Sequence, residues 1–268
     1  MLVVVAAGAG AGVLGALLGI GGGVLLVPFL NLVLHVPMAE AAAISLATVI
    51  ATSSAVTASH AGEQLVNLRL GMLLEVATAG GSLLGGVTAE MLAQSTLQRL
   101  FGAVTLIVAV LMVVRLNRRN VLPAGADPGP LGGRYYELES GGLVAYRVRR
   151  LPLALAASFV AGNVSSLLGI GGGVIKVPVL NAWCGVPLRA AAATSAFMIG
   201  VTATAGAVIY LGRGQLNPPL SAAAVLGVQL GSRAAIRMGA RVSAKWLKTL
   251  MAGLLFAVAL LMFYRSRA

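Results

Sequence analysis

Charge is scarce in this chain. Only 10% of its 268 residues are Asp, Glu, Lys or Arg, whereas soluble domains run near one quarter. So little charge cannot cover a soluble fold. Cys184 is the one cysteine, which excludes an internal disulfide framework and a thiolate metal cluster; a small apolar packing residue is the plain account of it. His35 and His60 are the two histidines, each near the end of an apolar run and without the second ligand that a metal site needs. With no nucleophile–base pair and no ligand cluster, neither an enzyme nor a bound cofactor is expected. Aromatic residues make up 5% of the chain and do not interleave with its cations, so the net charge of +12 is not a nucleic-acid face. The cations sit between apolar stretches, where membrane orientation signals belong.

What the chain does have is hydrophobic length. Apolar residues are 59% of it and the mean hydropathy is +0.96. They fall in blocks at Leu2–Leu34, Ala41–Ser59, Leu70–Thr88, Leu100–Val114, Leu151–Ala182, Ala190–Leu211, Leu220–Leu230 and Leu247–Tyr264. Most approach the roughly 20 residues of a bilayer crossing. The expected class is therefore an all-α polytopic membrane protein whose first partner is the lipid bilayer. Met1–Gly19 has the composition of a secretory leader but lacks a basic start. Its pattern returns at Leu151–Gly169, so both stretches are read as structure.

That return is part of a duplication. Shifted by 150 positions, Leu17-Leu18-Gly19-Ile20-Gly21-Gly22-Gly23-Val24 falls on Leu167-Leu168-Gly169-Ile170-Gly171-Gly172-Gly173-Val174. Val27-Pro28 then falls on Val177-Pro178, Asn31 on Asn181, Ser45 on Ser195, Asn67 on Asn217 and Gly81-Ser82 on Gly231-Ser232. One offset held over that distance is an internal repeat. It divides the chain into a first membrane repeat at 1–116, a polar linker at 117–150 and a second membrane repeat at 151–268. The linker carries Pro-Ala-Gly-Ala-Asp-Pro-Gly-Pro and Arg147-Val-Arg149-Arg150 and reads as an aqueous connection.

Leu2 to Leu34 as one helix would be about 50 Å long, against a hydrocarbon core of about 30 Å. The glycines of 19–23 break it near the middle and let the chain reverse. Each repeat is thus expected to open with a re-entrant helical hairpin followed by three transmembrane helices. Loop cations support this choice. With hairpins, Arg99, Arg213, Arg265 and Arg267 lie on one side and all other loop cations on the other, whereas single crossings leave only a weak bias. Three spans per repeat is an odd number, so the second repeat is expected upside down relative to the first, the inverted arrangement of many transporters. Both termini would then be outside and the linker cytoplasmic, in a cell membrane.

Helix N-termini at the two glycine tips would approach the midplane from opposite sides, each with unpaired N–H groups and about half a positive charge. Gly21, Gly22, Gly23, Gly171, Gly172 and Gly173 are therefore candidates for an anion cradle. Lys176 stands one turn into the second return arm, where the first copy has Leu26. A midplane ammonium costs at least ~2.5–3.5 kcal/mol; a cationic wall of the anion path, snorkelling, and pairing with a carboxylate are its three readings. Asn31 and Asn181 are candidate donors or interhelical ties. Ser45 and Thr48, with Thr194 and Ser195, either line the cavity or bond their own backbone. Gln229 shares a helix face with Ser232, for binding or packing. Glu75 is the carboxylate deepest in a span, either a proton carrier or an interfacial group. Gly169–Lys176 lacks the Gly-Lys-Ser/Thr ending of a phosphate loop.

The doubled Leu-Leu-Gly-Ile-Gly-Gly-Gly-Val with a following proline, at 17–28 and 167–178, and the Ala193-Thr194-Ser195 entry to the next helix resemble the TauE/SafE sulfite exporter family. The likeness covers nearly all of the chain outside the linker. It implies membrane transport of sulfite, related sulfur anions or organosulfonates, usually as export, with protons as the coupling ion. Ala43-Ile44-Ser45 departs from the second copy's Ala-Thr-Ser, so the two halves of the site are unequal. A passive anion channel and a non-transporting membrane assembly protein are the competing functions. Oligomeric state, coupling ion and individual substrate are not written in the residues.

Overall fold

The computed structural model of the chain describes residues 1–18, 21–59, 65–115, 120–123, 127–137, 142–238 and 244–266. Gly19 and Ile20 of the first glycine run, and the linker cations Arg118 and Arg119, lie outside the described residues. The fold is helical: α1 (Leu2–Leu18), α2 (Gly23–Leu32), α3 (Met38–Ser59), α4 (Leu68–Ala89) and α5 (Gln94–Arg115) come from the first copy. The second gives α6 (Leu151–Leu168), α7 (Gly173–Ala182), α8 (Leu188–Gly212), α9 (Pro218–Met238) and α10 (Ala244–Arg265). Among the described residues α3, α4, α6 and α8 are long and apolar enough to cross a membrane.

The polarity of α4 shows how these helices are solvated. Met72, Val76, Leu83 and Val87 form one exposed stripe, while Glu75, Thr78 and Ser82 are buried. A water-soluble helix has the opposite arrangement. Apolar side chains outward and polar ones inward suit a hydrocarbon solvent, in which every buried polar group must find its partner inside the protein.

The chain reverses at both glycine runs. A Cβ placed on Gly22 would lie 2.6 Å from the Ala11 carbonyl oxygen, and one on Gly172 would lie 3.0 Å from that of Ala161. Each tip is thus folded back beside the middle of its own first arm. Gly171 and Gly172 have φ of +80° and +61°, and Gly21 has +67°. L side chains rarely adopt such angles, which is why the run is glycine. Between the diverging arms of the first hairpin lies a groove of about 1070 Å³, with Ala7, Ala11 and Leu14 facing Leu25 and Phe29 across it.

Helix pairing follows the duplication. α1 lies along α9, and its counterpart α6 lies along α4; α3 packs on α8, and α5 on α10. Exchanging the two copies maps this pattern onto itself. The α4–α6 and α1–α9 contacts run backbone on backbone, because a Cβ at Gly81 would overlap the Phe159 carbonyl, one at Gly162 the Thr78 carbonyl, and one at Gly231 the Ala9 carbonyl. Small residues at such contacts let helices approach to where dispersion and polar contacts bind them without a hydrophobic driving force.

The linker differs from the aqueous connection that its composition suggests. β1 (Gly133–Glu137) and β2 (Gly142–Tyr146) pair as an antiparallel hairpin. Tyr135, Val144 and Tyr146 are buried in one apolar cluster with Leu70, Leu74, Val177 and Leu180 of the helices. The Asn67 side-chain amide donates to the Leu131 carbonyl at 2.8 Å and the Tyr146 hydroxyl at 3.1 Å, and the Arg149 N–H donates to the Cys184 carbonyl at 2.9 Å. Alternation along short strands gave the segment one apolar face, and that face docks on the helix ends instead of facing water. Burial pushes the Tyr146 phenol up in pKa, its bond with Asn67 partly opposing.

Candidate functional site

The two hairpin tips meet. A Cβ on Gly23 would overlap the Gly169 carbonyl oxygen and come within 2.5 Å of Ser45 Oγ. The Ser45 hydroxyl itself donates to the Gly169 carbonyl at 2.6 Å. A Cβ on Gly21 would meet Ile199 and Val49 at 3.0 and 3.2 Å, so α3 and α8 wall the junction. Some of the tip donors are already engaged: the Gly23 N–H turns onto the Gly21 carbonyl, and the Gly173 N–H onto that of Gly171 at 2.6 Å. In this conformation the tips are packed against each other and against α3.

One turn beyond the second tip the chemistry becomes ionic. Lys176 is 1% exposed, and its Nζ lies 4.0 Å from Glu75 Oε2. Thr202 on α8 bridges the pair, donating to Glu75 Oε1 at 2.8 Å and accepting from Lys176 Nζ at 3.4 Å. The Thr202 carbonyl in turn accepts from Ser82 Oγ at 2.7 Å. Glu75 Oε2 has no hydrogen-bond partner. Lys176 thus neither snorkels nor stands alone, and Glu75 is a buried group and not an interfacial one.

A buried ion pair contributes little net stability, because desolvation of two charges offsets their attraction. The repeat-related position shows that the fold manages without it. At the 150-residue offset Lys176, Glu75 and Thr202 correspond to Leu26, Val225 and Thr52. Both charges are present together at one of the two related positions and absent together at the other. Ser165 and Ser166 likewise replace Gly15 and Ala16. Both serine hydroxyls are buried without a hydrogen-bond partner, and Ser165 Cβ lies 3.3 Å from where a Cβ on Gly172 would be.

The remaining candidates are spread out. Asn31 and Asn181 stand about 12 Å along their arms from the tips at 1.5 Å per residue. Their amides close the loops that follow, onto the Val36 and Val186 carbonyls at 2.9 and 3.0 Å, and Asn31 also accepts from Gln98 at 2.9 Å. Thr194 Oγ1 accepts from the Asn67 N–H at 3.0 Å, and Thr48 Oγ1 donates to the Ser45 carbonyl at 2.7 Å. Ser195 is fully buried, its hydroxyl without a partner. Gln229 donates to the Ala51 carbonyl at 3.2 Å and Ser232 to that of Gly12 at 3.4 Å, both as ties between helices. Sequence reasoning missed Thr202; its identity with Thr52 under the repeat offset was the available signal.

Comparison with known proteins bears on what this site serves. The profile of the family described as Sulfite exporter TauE/SafE matches residues 4–262. The chain belongs to the TauE/SafE family. It is 24% identical to the probable membrane transporter protein YunE of Bacillus subtilis (strain 168), over 99% of this chain and 98% of that relative. Likeness to the probable membrane transporter protein MJ0441 of Methanocaldococcus jannaschii is 23%, over 94% and 91%. The Sulfite exporter TauE/SafE family protein 5 of Arabidopsis thaliana shares 36% identity over 92 residues, 31% of this chain and 20% of that protein. No solved structure matches the chain significantly. Family and relatives together make this TauE/SafE chain a membrane transporter and place its work in a class that is not enzymatic.

Proposed function

We propose that this protein is a secondary transporter of a small oxyanion, sulfite or a related organosulfonate, moved by alternating access with protons as the coupling ion and with export as its cellular direction. The observation that carries the reading is Lys176, an ammonium fully buried one turn inside the glycine tip of a broken hairpin. A scaffold protein has no use for a charge that costly to bury. Packed tips support a conformation closed to both sides, as alternating access requires, and favour a carrier over an open channel. The unpartnered hydroxyls of Ser165 and Ser195 are donors available to an oxyanion.

Reconstituted in proteoliposomes, the protein should take up or exchange at least one of sulfite, thiosulfate, sulfoacetate, sulfate and formate, with sulfur anions preferred over formate. Absence of flux for all five would sink the anion reading. Flux insensitive to an imposed proton gradient would favour a channel.

The inverted arrangement of the two repeats belongs to the same reading. The self-consistent pairing of α1 with α9 and α6 with α4 supports it, as does the loop-charge asymmetry. A cysteine at Asp127, exposed in the linker, should be protected from impermeant thiol reagents in intact cells, while cysteines appended at either terminus should be labelled. Native Cys184 is buried and stays silent. External labelling at Asp127 with both termini protected would contradict this orientation.

A further inference from the structure

We infer that anion and proton bind together at one of the two repeat-related positions only, the anion to Lys176 and the proton to Glu75. The inference rests on the anion-transport reading and names the group that couples it. Three observations carry it. Glu75 and Lys176 approach to 4.0 Å yet make no direct hydrogen bond, and Oε2 has no partner at all. A pair built for rigidity would close that gap, because buried charge needs every lone pair satisfied. Thr202 touches both partners, so it holds Glu75 while Lys176 turns to another ligand. The repeat-related position, finally, lacks both charges together, with Leu26 and Val225 in their places. Folding and hairpin packing therefore do not need the pair, whereas a function present once per molecule does.

The chemistry follows from charge balance. Lys176 and Glu75 are together neutral, and an arriving anion competes with the carboxylate for the ammonium. Two negative charges beside one positive charge in a low-dielectric site cost far more than in water. A proton taken up by Glu75 removes the excess, leaving the anion on Lys176 and a neutral carboxyl still bonded to Thr202. Among the described residues no other ionisable group stands beside the pair: Arg69 of α4 is exposed, about 9 Å along the helix from Glu75. α6 carries none; α8 carries Arg189 and Tyr210 at its two ends, about 20 and 12 Å from Thr202 at 1.5 Å per residue. Tyr146 of the linker is held at Asn67, about 12 Å along α4 from Glu75. By linkage, anion and proton each tighten the binding of the other by the same factor. The sense of coupling is thereby fixed: the proton travels with the anion. Outward flux is driven by anion accumulated inside and is opposed by an inward proton gradient.

The test is proton release or uptake on adding thiosulfate to the purified transporter in weak buffer with a pH indicator. Thiosulfate is used because sulfite itself titrates near neutral pH. Wild type should take up about one proton per anion bound, and its affinity should rise about tenfold per pH unit of acidification while Glu75 changes state. Glu75→Gln, which imitates the neutral carboxyl, should bind with no proton uptake and with an affinity flat in pH. Infrared difference spectra of wild type should gain a protonated-carboxyl band when thiosulfate is added, and Glu75→Gln should lack it. Binding by wild type without proton uptake and without that band overturns the coupling while leaving the transport reading standing. The same holds for uptake that persists in Glu75→Gln. Failure of wild type to bind thiosulfate, sulfite and sulfoacetate alike overturns both.

Discussion

Lys176→Met should weaken anion binding by about ten- to 150-fold, the roughly 1.5–3 kcal/mol of a hydrogen bond to a charged group. The thioether keeps the stem's volume in its buried slot, so the loss reports the charge and not the packing. Stability is affected separately. Glu75 would be left without its counter-charge beside Thr202, and removing one partner of a buried pair costs about 3–5 kcal/mol unless the carboxyl takes up a proton. Single substitution therefore lowers both affinity and thermal stability, and the two must be separated. The double variant Lys176→Leu with Glu75→Val does this, because it writes the repeat-related residues Leu26 and Val225 into the charged site. It should melt at or above the wild-type temperature, since replacing a buried ion pair by packed apolar residues is neutral or stabilising by about 1–4 kcal/mol, yet bind no anion. Arginine at 176 should recover only part of the affinity, its planar fork being wider than an ammonium. Wild-type affinity in the double variant, measured by titration with sulfite and thiosulfate across a salt series, would remove Lys176 from the substrate site.

Gly81→Leu should leave no folded protein in the membrane, whereas Gly80→Leu, one residue away on the same helix, should be tolerated. A Cβ at Gly81 overlaps the Phe159 carbonyl oxygen and lies 2.9 Å from its carbon and 3.1 Å from the Asn163 nitrogen. All three are backbone atoms of α6, which cannot rotate aside as a side chain would. Nothing lies within 4 Å of a Cβ at Gly80; leucine there extends into lipid and gains about 1 kcal/mol of helix propensity. Overpacking costs at Gly81 should reach or exceed the roughly 3 kcal/mol upper end seen for cores, because α4 and α6 must separate along their shared length. Size-exclusion profiles in mild detergent provide the measurement. Comparable monodisperse yield from both variants would mean that α4 and α6 do not pack backbone to backbone. Gly22 makes a poorer probe of the anion cradle for a related reason. Its Cβ would meet the Ala11 carbonyl, so leucine there damages the hairpin before it can displace a ligand.

The amino-acid sequence by itself determined the solvent, the class and the duplication of this protein. Hydropathy over about 20 residues reports the hydrocarbon environment whatever the helices touch. Four glycines in 19–23 break a helix by backbone entropy alone, and the 150-residue offset is visible without coordinates. The same local signals made Lys176 conspicuous, since an ammonium in an apolar run is unusual in any fold. They could not name its partner. Glu75 stands near the start of its span, where sequence allows an interfacial group as readily as a buried one. Only the packing of α4 and α8 beside α7 brings Glu75, Thr202 and Lys176 together. Asn31 and Asn181 read from sequence as candidate donors or interhelical ties on the return arms, and residue type does not choose between the two; their amides close the following loops at Val36 and Val186, at the far ends of the arms. The linker's docking was not legible for a different reason. Its prolines, glycines and arginines describe an aqueous segment on average, while the placement of Tyr135, Val144 and Tyr146 gives one face of a short hairpin enough apolar surface to dock. Docking needs Leu70, Leu74, Val177 and Leu180 to be gathered at one end of the bundle first, and that gathering is a property of the tertiary structure alone.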